Sequence, residues 1–319
     1  MPIESVGSPL LWSGFVVFVL AMLALDLGVF HRKAHEISLK EAAIWSAVWI
    51  GLAALFALGV HAWHGPERAL EFVTGYVIEK ALSVDNIFVF VVIFSYFAVP
   101  SALQHRVLFW GILGALVMRA IFILVGGAFL ARFHWAIYVF GAILLLTGIK
   151  LLLQRQANYD PAGNPLVRLF RRCFPASAGF DGSKFFTREG ARLVATPLFL
   201  ALLVVEATDV VFAVDSIPAI FAITRDPFLV FTSNIFAILG LRSLYFLLAG
   251  VIDKFRYLKT GLALVLVFVG GKMLLADVWK VPVGLSLAII GTLLGASVLA
   301  SLAVQRREPR KRITKGSTP

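Results

Sequence analysis

The chain has 319 residues, 60% of them hydrophobic and only 15% charged, with a mean hydropathy of +0.91. A soluble domain is roughly a quarter charged, so this composition excludes a pair of ordinary soluble domains and implies an all-α polytopic membrane protein. The net charge of +11 would elsewhere suggest nucleic acid, but its placement in the loops assigns it to membrane orientation, and no nucleic-acid partner is expected. A single cysteine, Cys173, excludes an internal disulfide and a soft-metal cage.

Runs of about 20 apolar residues, enough to cross roughly 30 Å of hydrocarbon, occupy 10–30, 42–61, 70–98, 107–130, 134–153, 195–223, 228–250, 258–277 and 282–304. The first lacks a basic leader and is followed by His31-Arg32-Lys33, so it is expected to be a retained span rather than a cleaved signal. The third and sixth exceed a simple span and predict tilted or broken helices. Of the Lys and Arg residues, 20 fall in 31–41, 99–106, 154–194, 251–259 and 305–319. The alternate loops hold four: Arg68, Arg132, Arg225 and Lys280. This bias predicts an N-terminus outside and a C-terminus in the cytoplasm of a multi-pass membrane protein. Segment 154–194 becomes a cytoplasmic loop and 305–319 a basic cytoplasmic tail, with charges that meet the headgroups of the lipid bilayer or solvent.

Five carboxylates break the apolar pattern: Glu79 and Asp85 in the third run, and Glu206, Asp209 and Asp215 in the sixth. At the centre of a lipid-buried helix each costs about 2.5–3.5 kcal/mol, about 12–18 kcal/mol for five, unless something offsets them. Glu206 and Asp209 share a helix face. Asp209 and Asp215 lie about 120° apart on an ideal helix, and Pro218 removes an amide donor to Val214. An irregular turn is therefore expected over 213–218. Asn86, Ser216 and Thr208 add candidate oxygens, and Asp26 could join the pathway or meet water.

The two acidic stretches belong to a repeat. Ser83-Val84-Asp85-Asn86-Ile87 matches Ala213-Val214-Asp215-Ser216-Ile217, and Glu79 matches Asp209. Ile112-Leu113-Gly114 with Arg119 matches Ile238-Leu239-Gly240 with Arg242, and Gly148-Ile149-Lys150 matches Gly270-Gly271-Lys272. The matched units are 70–153 and 195–277, three spans each within one transmembrane domain. An odd number of spans inverts the second copy, the arrangement in which transporters place a site at the midplane.

Hard oxygen donors without histidine or cysteine select Mg²⁺, Ca²⁺ or Mn²⁺, since all six histidines fall at or near span ends. No prosthetic group is expected. The structural alternative is internal pairing of the acids with Arg119, Arg242 and Lys80, which leaves five acids against three cations. No catalytic triad, metalloprotease histidine pair or phosphate loop appears, so an enzyme is not expected.

The stretches Glu79-Lys80-Ala81-Leu82-Ser83-Val84-Asp85-Asn86 and Glu206-Ala207-Thr208-Asp209 through Asp215-Ser216-Ile217-Pro218, with Leu25-Asp26-Leu27-Gly28 before a basic turn, resemble the signatures of the TerC family and its Alx-type branch. That resemblance implies a bacterial inner-membrane protein of manganese homeostasis that exports Mn²⁺. It places the family's acidic residues at Glu79, Asp85, Glu206, Asp209 and Asp215. The expected function is efflux of Mn²⁺ through a midplane carboxylate site with protons as counter-ion, Arg119 or Arg242 neutralising the empty site. Two alternatives stay open: a membrane scaffold or metallation partner without net transport, and an exporter of small organic solutes.

Overall fold

A computed structural model describes residues 5–25, 38–133, 135–153, 177, 179–189, 192–249, 257–275, 277–279 and 281–307. Helices dominate. They are α1 (Pro9–Leu25), α2 (Leu39–Tyr96), α3 (Ser101–Arg132), α4 (Ala136–Leu153), α5 (Pro197–Phe221), α6 (Pro227–Leu239), α7 (Leu241–Ala249), α8 (Leu258–Leu274) and α9 (Val283–Arg307). A hairpin of β1 (Phe186–Glu189) and β2 (Arg192–Ala195) precedes α5, with Phe186 opposite Ala195 and Arg188 opposite Leu193. The described residues of each of the nine apolar runs fall mainly on helix, those of the seventh on two, α6 and α7. Among the described residues five helices are long and apolar enough to cross a membrane, and α6 with α7, bent by 41°, makes a sixth. Leu55, Val125, Leu146 and Leu299 are more than half exposed on the outside of the bundle, as hydrocarbon solvent permits.

The 58 residues of α2 would span about 87 Å as one rod. They divide at Gly65, whose φ of 86° and ψ of 175° leave the helix, and Pro66 then starts the second arm without needing an amide partner. The expected break at the acids of the third run is therefore absent: the backbone is helical from Pro66 past Glu79 and Asp85. The irregular turn expected at 213–218 is also absent. Helix α5 runs through Pro218 to Phe221. Proline here interrupts the last turn only, where a single lost bond costs little and the Pro218 carbonyl still accepts from the Ala222 amide at 3.0 Å.

The segments matched by sequence pack reciprocally. The second arm of α2 meets α5 and α6, α3 meets α5 and α6, and α4 lies along α8. At the α4–α8 crossing a Cβ on Gly148 would come within 2.8 Å of the Ala263 carbonyl and Val267, and one on Gly270 within 2.5 Å of the Leu145 amide and 2.8 Å of the Gly141 carbonyl. The offset that relates Lys150 to Lys272 also relates Gly141 to Ala263, Leu145 to Val267 and Gly148 to Gly270. Exchanging the two helices maps the crossing onto itself, the behaviour of an isologous contact. Small residues let the backbones touch, as helix association in lipid favours.

Leu144, Ala219, Val265 and Val269 form an apolar layer around this crossing. A separate cluster rich in phenylalanine, with Phe15, Phe72, Phe228 and Phe236, holds α1 and the first arm of α2 against α6. Outside the bundle, the hydroxyl of Thr187 and the ammonium of Lys184 hold the exposed carboxyl of Asp181 below its ordinary range.

Gly270→Ala should destabilise the protein by about 1–3 kcal/mol through overpacking, whereas Gly271→Ala, which faces open space, should be neutral or slightly stabilising. Thermal unfolding of the two variants in detergent micelles checks the contrast.

Candidate functional site

A cluster of buried charge lies within the bundle. Arg119 of α3 is 1% exposed, Glu79 of α2 0% and Asp209 of α5 4%. The guanidinium grips both acids. Its Nη1 donates to Glu79 Oε1. Nη2 and Nε donate to Asp209 Oδ1 and Oδ2, each at 3.2 Å, the fork geometry that suits arginine to a carboxylate. Nη1 also reaches Ser216 Oγ at 3.2 Å. The second Glu79 oxygen accepts from Asn234 Nδ2 of α6 at 3.0 Å. Side chains of α2, α3, α5 and α6 thus meet in one cluster around a single guanidinium.

Local packing makes the meeting possible. Gly75 lies one turn before Glu79, and a Cβ there would stand 2.9 Å from Ser233 Oγ, beside Asn234. The missing side chain lets α6 come close enough for Asn234 to reach Glu79. Gly114 does the same for Glu206, whose carboxyl group would lie 2.1–2.4 Å from a Cβ at that position. Glu206 is only partly buried and lies against α3 one turn of α5 from Asp209, on the face the i, i+3 spacing predicts.

The remaining candidates divide. Ser216 belongs to the cluster, and Asn86 is buried and lines a cavity of about 90 Å³ together with Glu79, Arg119, Thr147 and Ser216. Thr208 donates to the Val205 carbonyl of its own helix at 2.8 Å. Lys80 donates to the Ala237 carbonyl at 3.2 Å, near the end of α6, where positive charge suits the helix dipole. Its ammonium lies where a Gly240 Cβ would be, 2.6 Å away. Arg242 is buried at the start of α7. Asp85 and Asp215 sit on described helical backbone, but their side chains, and the whole of Asp26, lie outside the described residues.

Among the described residues no three acids, histidines or cysteines form a group that could hold a metal ion. The donor set around Arg119 is nevertheless all oxygen: Glu79, Asp209, Ser216 and the Asn234 carbonyl. Asn234 Oδ1 is buried and has no hydrogen-bond partner among the described residues.

Two groups were not singled out from the sequence. Asn234 ends the polar triplet Thr232-Ser233-Asn234 inside an apolar run, the same kind of signal that exposed the carboxylates but without charge. The second is a knot at the far end of the bundle. Asp226 caps α6 by accepting from the Phe228 amide at 2.9 Å and holds Ser5 Oγ and the Val6 amide at 2.8 and 2.7 Å. Glu71 accepts there from Arg68 at 2.9 Å and Thr224 at 2.8 Å. The Asp226-Pro227 pair is a readable helix start.

Fold and site together define a multi-pass integral membrane protein built around a buried arginine–carboxylate cluster. Comparison with known proteins gives the family: the model of the integral membrane protein TerC family matches residues 64–309, and the chain belongs to that family. An uncharacterized membrane protein of Myxococcus xanthus is 62% identical over 305 residues, 96% of either chain. The Escherichia coli K12 protein Alx, provisionally named a membrane-bound redox modulator, is 47% identical over 97% of this chain and 99% of its own. Alx of Photorhabdus laumondii is 46% identical over 95% and 98%. No solved structure matches.

Asn234→Leu should leave a Glu79 oxygen without its donor and destabilise by about 1–3 kcal/mol. Thr208→Val, which removes a bond within one helix, should stay within about 0.5 kcal/mol. Unfolding midpoints in detergent distinguish them.

Proposed function

We propose that this protein exports a divalent cation, Mn²⁺ foremost, from the cytoplasm across the bacterial inner membrane. The observation that carries the reading is the meeting of Glu79 and Asp209, equivalent positions of the two repeats, at one buried point beside a cavity. Carboxylates retained at that depth against an apolar surround mark an ion pathway. Hard oxygen donors suit Mn²⁺, Mg²⁺ or Ca²⁺, and the resemblance of the two acidic stretches to TerC signatures favours Mn²⁺ among them.

In this proposal the repeats are inverted and the basic loops cytoplasmic. Helix α2 then carries Asp85 about 9 Å from Glu79 toward the cytoplasm, and α5 carries Asp215 about 9 Å from Asp209 toward the outside. The acids form a file rather than one cage, with Glu79 and Asp209 at its middle. Glu206, against Gly114, lies one turn to the cytoplasmic side of Asp209. The cavity beside Glu79 is lined by Asn86, Thr147, Leu151 and Leu262, residues of the cytoplasmic helix halves in this orientation, and is bounded toward the outside by Phe212 and Ser216 of α5. Ile123, Ile217, Ile220 and Phe221 pack the opposite side. That arrangement suits a state accessible from the cytoplasm.

Moving a divalent ion out of a negative interior costs about 4.6 kcal/mol per 100 mV, so the reading includes inward protons as the driving ion, carried by the buried carboxylates. The redox name of the relatives finds little footing here: with Cys173 as the single cysteine, the chain has no dithiol of its own to cycle.

The saturation of Glu79 and Asp209 by Arg119 favours a second reading, in which the cluster is structural and the protein is a scaffold or metallation partner. Radiolabelled Mn²⁺ flux into proteoliposomes decides. Wild type should transport, with flux rising in an opposing proton gradient. Glu79→Gln, Asp209→Asn, Asp85→Asn and Asp215→Asn should each lower flux at least about tenfold, roughly the loss of one charge-assisted contact. Mn²⁺ binding without flux would favour the scaffold, and flux indifferent to pH would remove proton coupling.

A further inference from the structure

The Glu79–Asp209 centre already holds a cation of the chain's own. Both Asp209 oxygens and one Glu79 oxygen accept from Arg119, and the other Glu79 oxygen accepts from Asn234. Three of the four carboxylate oxygens face the guanidinium, so an incoming ion that bridges the two acids must share or take oxygens that Arg119 now holds and bring its own positive charge beside it. We propose that Arg119 is a built-in competitor of the transported cation. Ion and guanidinium are alternative occupants of one carboxylate pair, and their exchange sets a charge threshold that admits divalent ions and rejects monovalent ones. The inference rests on the transport reading above and adds its basis of selectivity.

Charge decides which ions can win. Two carboxylates against one guanidinium leave the cluster one negative charge in excess. A sodium or potassium ion would replace that positive charge like for like, while losing the forked hydrogen bonds that fit arginine to Asp209. A divalent ion doubles the Coulomb attraction and brings the pair to neutrality. Arginine keeps its charge in proteins, so it vacates the site by moving rather than by losing its proton. Space exists for the move: Arg119 lines the cavity of about 90 Å³ that also touches Asn86, Thr147 and Ser216. A further oxygen stands ready for a metal and for nothing else the described residues supply. Asn234 Oδ1 is buried, has no donor among them, and belongs to the side chain already bound to Glu79.

A structural arginine and a competing arginine predict opposite effects on metal affinity. The test titrates Mn²⁺ into full-length protein in detergent and follows the signal of free Mn²⁺ by electron paramagnetic resonance. Wild type is compared with Arg119→Gln and Arg119→Lys. Sodium chloride is set against N-methylglucamine chloride at equal ionic strength, so that screening is constant. The expected result is Mn²⁺ binding at least about tenfold tighter in Arg119→Gln. In that variant alone sodium should compete, and Mn²⁺ should raise the melting temperature more than in wild type. Arg119→Lys keeps a charge but loses the fork, so its affinity should lie between the two; it provides the comparison if the glutamine variant does not fold. Wild-type binding that is matched or weakened in either folded variant would overturn the competitor role and leave the transport site standing. No Mn²⁺ binding in wild type or variants would overturn both.

Discussion

The buried ion cluster of Arg119 with Glu79 and Asp209 is the constraint around which the bundle is arranged. In hydrocarbon neither acid could remain charged alone, and neither could the guanidinium; together they offset most of one another's desolvation. That requirement fixes where α2, α3 and α5 cross. It explains why Gly75 and Gly114 carry no side chain at those crossings, since each admits a neighbour that completes or flanks the cluster. It also explains why α6 brings an asparagine into its apolar face, for the second oxygen of Glu79 needs a donor. The α4–α8 pair stands apart from this charge and is joined by backbone contact at Gly141, Gly148 and Gly270. One half of the protein is thus organised by electrostatics and the other by close packing, and the cavity beside Glu79 lies between them, lined from both.

Membrane burial made the acids easy to find. A carboxylate in a long apolar run is costly enough to announce itself, and Glu79 and Asp209 were conspicuous for that reason, as was the arginine that joins them. Asn234 was harder, because an uncharged polar residue is tolerated in a span and its Thr-Ser-Asn surroundings resemble ordinary helix packing. Asp226 and Glu71 sit at span ends, where sequence does not distinguish a buried knot from a solvated charge. The break expected at Pro218 failed because position within a helix matters as much as residue type: three residues from the end, proline disturbs a turn that is already fraying. The Gly65-Pro66 step shows the reverse. The polar stretch around it reads as a loop between two spans, yet one glycine with positive φ suffices, and helix continues on both sides.

Positions that match in the sequence do not play matching parts. Glu79 and Asp209 share one guanidinium, but Arg119 sits at the cluster while its counterpart Arg242 begins α7 beyond the bend that follows Leu239. Lys80, next in sequence to Glu79, donates to the end of α6. For the proposed transport, a single asymmetric charge between the two sequence-matched acids suits a device with two inequivalent states, one in which Arg119 attends the carboxylate pair and one in which the transported cation does.

The most direct test of this account is to locate Mn²⁺ in the protein itself. Crystals or reconstituted samples prepared with saturating Mn²⁺ would be examined for the ion's anomalous signal or density. The account predicts a peak between Glu79 and Asp209, with the Arg119 side chain displaced from both. A peak elsewhere, or none while the Arg119 pairs stay intact, would contradict it.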